Sequence, residues 1–169
     1  MFVIAIDGGS AGGKTTMSKR LEEKYDCTVF HVDDFFLRPE QRTAERLAET
    51  GGNIDRERFL EEVLEPLRKN EPVYYRRFNF STQEIEAPVK VIPKELVVIE
   101  GVYSMHPAFE KYYNLSVYLD ISPEKQRERI LKRNTMQMAE RYFDTWIPLE
   151  NTYFSEMKIK ERCDIIVSI

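Results

Sequence analysis

The stretch Ile6–Thr16, IDGGSAGGKTT, sets four glycines around a serine and an alanine and ends on a lysine and two threonines. It follows the β-branched run Phe2–Ile6, which has the length and composition of a strand buried on both faces. From Lys14 onward, Met17, Leu21 and Tyr25 recur at four-residue spacing and predict one apolar stripe of a helix. Strand, glycine loop and helix are the context in which G-x-x-x-x-G-K-[ST] binds phosphate, and Gly8 to Thr15 fit that pattern. Glycine permits backbone angles that turn successive N–H groups inward, and the helix start adds its positive dipole end. The expected nucleotide-binding residues are Gly8, Gly9, Ser10, Ala11, Gly12, Gly13, Lys14, Thr15 and Thr16. Lys14 is expected on the β- and γ-phosphates of ATP, and the Thr15 hydroxyl on Mg2+. The motif alone specifies nucleotide binding, not the reaction.

Downstream the chain alternates. Thr28–Val32, Leu96–Ile99, Leu115–Leu119 and Asp164–Ile169 read as further strands. Helices are predicted over Thr43–Thr50, Asp55–Asn70 with a kink at Pro66, Ser122 to about Arg133, and around Trp146, Leu149, Tyr153 and Phe154 with an interruption at Pro148. Tyr74–Phe80 and Glu86–Val91 suggest a hairpin or an excursion over the sheet. Alternating strands and helices imply a parallel sheet covered on both faces, with ligands at the carboxyl ends of its strands. Gly8, Asp33 and Glu100 each follow a strand and are expected to converge there.

With 169 residues, 42% of them hydrophobic, the chain suits one domain with a substantial core. A net charge of −4 argues against a nucleic-acid binder, so a phosphate site has to be local. Cys27 and Cys163 form no metal-ligand spacing and fit a reducing environment, and no run nears the ~20 apolar residues that span a bilayer. The expectation is a cytoplasmic chain without a membrane partner, with a homo-oligomer left open.

Asp33 and Asp34, after the second strand, supply a carboxylate for an acceptor hydroxyl, or else cap a turn. Four spaced motifs, HVDDFF, GNID, VVIEGVYS and RERILKRN, together with WIPLENTYF and CDIIVSI, resemble the uridine kinase and nicotinamide riboside kinase group of P-loop kinases over nearly the whole chain. The resemblance implies the three-layer P-loop NTPase fold of the α/β class, with a five-stranded parallel sheet, helices on both faces and a short lid. One domain covers residues 1–169, with a lid at approximately 134–148 and an acceptor-binding insert at approximately 36–92.

It also implies roles. Asp33 matches the catalytic base, Asp55 the aspartate on the substrate ribose, and Glu100 a residue near Mg2+ and its waters. Arg133, and with it Arg129 on the same helix face, match arginines that neutralise ATP phosphates, and Arg141 falls in the lid. Tyr74, Arg76 and Arg77 fall where the family recognises its nucleoside. Each has a plainer reading: Asp55 as a helix cap, Glu100 as a solvated strand end, Arg129 as part of a basic face beside Glu124 and Glu128. Two features depart from uridine kinases: no histidine lies near Tyr74–Phe78, and with the last strand running to Ile169 the adenine contacts are expected to be reduced or supplied by the lid. What the resemblance leads us to expect is a kinase for a small hydroxyl compound, a nucleoside first; nicotinamide riboside, pantothenate or a sugar phosphate, the anionic ones suited to Arg76-Arg77, and a nucleotide-binding regulatory module without turnover are the alternatives.

Overall fold

A computed structural model describes residues 1–169. Its central sheet is built from β1 (Phe2–Gly8), β2 (Cys27–His31), β7 (Leu96–Glu100), β8 (Leu115–Asp120) and β9 (Ile165–Ser168), in the order β2-β7-β1-β8-β9. All four pairings are parallel. Period-two alternation divides the side chains between two faces. Val3, Ala5, Phe30, Val97, Ile99 and Tyr118 enter a large core with Phe59, Val63, Leu64, Leu67 and Tyr153. Ile6, Val98, Val117 and Leu119 face the other way, onto Met17 and Leu21 of α1 (Lys14–Lys24). The outcome is the three-layer arrangement expected. The stripe on α1 stops short of Tyr25, where the backbone turns extended and the ring is 47% exposed.

Both prolines expected to disrupt helices are absorbed instead. The segment Asp55–Asn70 becomes α3 (Arg56–Phe59), a π turn Leu60–Leu64 and α4 (Glu65–Arg68) in one continuous run. Glu65 N–H reaches back five residues to the Leu60 carbonyl, immediately before Pro66. The same device recurs where α6 (Met136–Arg141) passes through a π turn, Tyr142–Trp146, into α7 (Ile147–Glu156), with Ile147 N–H on the Tyr142 carbonyl just before Pro148. A proline lacks the N–H and crowds the carbonyl four residues back; the wider turn relieves both.

The insert folds as a broken hairpin. β3 (Val73–Tyr75) pairs antiparallel with β6 (Val89–Val91), and β4 (Phe78–Asn79) with β5 (Glu84–Ile85). Before it, α2 (Ala44–Ala48) is capped by the Thr43 hydroxyl. On the far side, α5 (Pro123–Arg133) starts at a Ser122 cap with proline in its first turn, as its sequence predicts, and α8 (Ile159–Arg162) leads into β9. No helix is long and apolar enough to cross a membrane.

Candidate active site

Because the strands are parallel, their carboxyl ends share one edge. In the sheet register Ile6 and His31 both lie opposite Glu100. Beyond that row the chain leaves β1 through the glycine loop, with Gly8, Ala11 and Gly13 at φ 140°, 62° and 91°. Gly8 is indispensable: a Cβ there would lie 2.4 Å from the Leu119 carbonyl oxygen. Lys14, buried at the start of α1, donates from Nζ to the Gly8 and Gly9 carbonyls at 2.8 and 3.1 Å. Thr15 Oγ1 donates to Glu100 Oε1 at 3.1 Å, and His31 Nδ1 lies 2.5 Å from the same oxygen. That hydrogen bond pushes the His31 imidazole above its ordinary pKa.

Asp33 and Asp34 lie on a 3-10 turn, Val32–Phe35, not on the strand itself. Successive residues of such a turn still diverge, and the two carboxylates part company. Asp34 faces Arg77, with Oδ2 3.4 Å from Nε. Asp33 feels Lys14, Glu100, His31 and Glu150. Loss of surrounding water raises its carboxyl to about 6, with Lys14 pulling it down and Glu100 pushing it up. The residue is nevertheless exposed, so the rise belongs in full only to a closed site. Gly101 makes room for it: φ is 147°, and a Cβ would sit 2.8 Å from Val32 Cβ and 3.5 Å from Asp33 Oδ1. Gly101→Ala is expected to cost about 1–3 kcal/mol in denaturant unfolding, from strain and overpacking. Unaltered stability would mean that Val32 yields and Asp33 keeps its place.

Two oxygen ligands beside a phosphate loop suit a hard cation such as Mg2+, which binds one or two protein oxygens and completes its shell with water and phosphate. Thr15 and Glu100 meet that description, and no group of three or more His, Cys, Asp or Glu offers a competing cage.

The model of the phosphoribulokinase / uridine kinase family matches residues 3–145. The chain belongs to this family. A uridine kinase of Clostridium perfringens is 25% identical over 182 residues, covering 97% of this chain and 85% of that protein. Uridine kinase-like protein 4 of Arabidopsis thaliana is 26% identical over 80% of this chain, which spans only 30% of that longer protein. A phosphoribulokinase of Synechocystis is 27% identical over 85% of this chain and 45% of its own length. Among solved structures, a possible uridine kinase from Bacillus stearothermophilus superimposes with a TM-score of 0.71 at 19% identity, covering 98% of this chain and 87% of that one. A putative fructose transport system kinase from Silicibacter gives 0.75 at 18% identity, covering 98% and 89%. At such identities the superpositions speak for the fold.

For a member of the phosphoribulokinase / uridine kinase family, the remaining expected residues are unevenly placed. Arg129 Nη1 donates to the Ala11 carbonyl at 3.1 Å, beside the loop. Arg133 Nη2 meets the Tyr142 hydroxyl at 3.3 Å, and Arg141 is exposed at the end of α6. Asp55 is buried and engaged through both oxygens: Oδ1 caps α3 on Arg58 N–H, and Oδ2 takes Gln41 Nε2 at 3.0 Å and Arg58 Nε at 3.3 Å. Tyr74 does not join the site. Strand alternation turns its ring outward, 55% exposed beside Lys90, while Tyr75 turns inward onto Phe30 and Phe35. Arg76 is committed to buried Glu62, and Arg77 to Asp34 and the Tyr75 hydroxyl.

Three participants were not foreseen. Asp7, wholly buried, accepts from Gly8 N–H, Met105 N–H and the Tyr153 hydroxyl, and burial raises its carboxyl to about 6. Glu150 accepts from Ser10 N–H at 2.9 Å and from the Ser10 hydroxyl. Gln126 Nε2 donates to the Ser10 carbonyl at 2.9 Å. Glu150 and Tyr153 are three apart on α7, so one helix face carries both contacts; that spacing was the available signal.

Proposed function

We propose that the chain is an ATP- and Mg2+-dependent phosphotransferase whose acceptor is a hydroxyl of a nucleoside or nucleoside-like molecule. The observation that carries this reading is Asp33, a solvent-reachable carboxylate whose charge interacts with Lys14 and Glu100 at the edge of the phosphate loop. A hydrolase needs a positioned water there, whereas a kinase needs a base for an entering hydroxyl. In this reading the loop amides and Lys14 hold the ATP phosphates, and Arg129 and Arg133 approach them from α5. Thr15 and Glu100 hold Mg2+, which when bound neutralises charge on the phosphate oxygens. Asp33 orients the acceptor hydroxyl and takes its proton, and residues 134–148 exclude water as a lid. Positioning and electrostatics supply most of the acceleration in phosphoryl transfer.

The acceptor in this proposal is uncharged or cationic. Arg76-Arg77 suggested an anionic one, but Glu62 and Asp34 already hold these arginines, and Asp55 holds Arg58. An acceptor carrying phosphate would have to displace those pairs beside Asp33 and Asp34. Incubation of the chain with ATP, Mg2+ and a panel of nucleosides, nicotinamide riboside, pantothenate and sugar phosphates is expected to yield ADP and a phosphorylated nucleoside-like product. Turnover confined to sugar phosphates would reject the uncharged acceptor, and tight ATP binding without any turnover would favour a regulatory module.

A further inference from the structure

The phosphate loop is gripped at its tip by side chains from both stems of the segment 134–148. From α5, which leads into that segment, Gln126 donates to the Ser10 carbonyl at 2.9 Å and Arg129 to the Ala11 carbonyl at 3.1 Å. From α7, which leads out of it, Glu150 takes both the N–H and the hydroxyl of Ser10. One turn further along α7, Tyr153 binds Asp7, the last residue of β1 before the loop's first glycine. Ser10 is therefore held from both the entering and the leaving helix, and α7 is continuous with α6 through the π turn at Tyr142–Trp146.

Glu150 is an expensive choice for this place. It is 4% exposed, and a buried carboxylate beside a site for phosphates repels the ligand. Burial pushes its carboxyl upward, against Ser10, Lys14 and Arg133, which favour the charged form. A glutamine could satisfy the Ser10 N–H at lower desolvation cost. What only the carboxylate does is accept two hydrogen bonds from Ser10 while drawing Lys14 and Arg133 toward the loop.

We propose that Glu150 is a positioning residue: its double contact with Ser10 holds the phosphate loop in binding shape and ties that shape to the helices flanking residues 134–148. The inference builds on the kinase reading but is tested through nucleotide binding, without acceptor or turnover. Calorimetric titration of the full chain with ATP and Mg2+ is expected to show about tenfold weaker binding for Glu150→Ala and a smaller loss for Ser10→Ala. In the double variant, Ser10→Ala is expected to add almost nothing, because the two act through one contact. Glu150→Gln, which keeps the volume and one acceptor oxygen, is expected to fall between wild type and Glu150→Ala, and stands in for the alanine variant should that fail to fold. Strictly additive effects, or an unchanged nucleotide affinity in Glu150→Ala, would overturn the proposal. Nucleotide binding with no turnover on any hydroxyl compound would sink the kinase reading and leave this result standing.

Discussion

Asp33→Asn is expected to lower kcat by about a thousandfold while leaving ATP affinity within about twofold. The substitution keeps size and one acceptor oxygen, puts an NH2 donor in place of the other, and removes the charge and the ability to take a proton. In the proposed reading ATP is held by the loop and α5, to which Asp33 makes no hydrogen bond and which it influences through its charge on Lys14 alone. The pH profile carries an independent mark of the same group. A base whose carboxyl is raised toward 6 is silenced below that value, so kcat is expected to climb as pH rises through about 5–6 and then level. Stability runs the other way. A carboxyl raised on folding contributes stability below its ordinary range and loses it as pH rises through its folded value. At neutral pH, therefore, Asp33→Asn is expected to leave Tm unchanged or slightly higher while activity collapses. Retained turnover, or a lost one accompanied by a large drop in Tm, would remove Asp33 from the base role.

That Gly8, Asp33 and Glu100 gather at one edge was legible because a parallel sheet admits little else. Each follows a short β-branched run, and parallel strands deliver their carboxyl ends to one edge. The five strands were legible for the same reason: buried parallel strands are nearly continuous apolar runs bounded by Gly, Asp or Pro. Glu150 was not. Composition treats a glutamate in a helix as surface, and only the fold shows that its face of α7 looks onto the loop. Nor could propensity show how Pro66 and Pro148 would be absorbed, since a π turn leaves no residue pattern of its own. Tyr74 illustrates the limit of motif transfer. The aromatic segment lies in the insert, but a strand presents alternate residues to opposite sides, and its phase follows from the packing of Val73 and Tyr75.

Asp55→Ala is expected to be the most destabilising of the substitutions considered, by about 3–5 kcal/mol, lowering Tm by roughly 10 °C. Asp55 is 4% and Arg58 7% exposed, so removal of the carboxylate strands a buried guanidinium and also deletes the cap of α3. Glu62, 3.7 Å away, offsets part of that loss, but it also serves Arg76. The damage reaches the site because Arg58 donates to the Asp34 carbonyl at 3.2 Å and stacks on Phe35, bracing the turn that carries Asp33. Loss of activity in Asp55→Ala therefore says nothing of acceptor binding. Asp55→Asn does: it keeps a cap acceptor and the volume, and deletes the charge and the second acceptor oxygen that serves Gln41 and Arg58. Measured below its own Tm, Asp55→Asn is expected to raise the acceptor KM while ATP affinity holds, the result that the proposed contact with a substrate hydroxyl requires. If Asp55→Asn instead restores stability and acceptor KM together, the residue is a scaffold for the Asp33 turn and makes no contact with the acceptor.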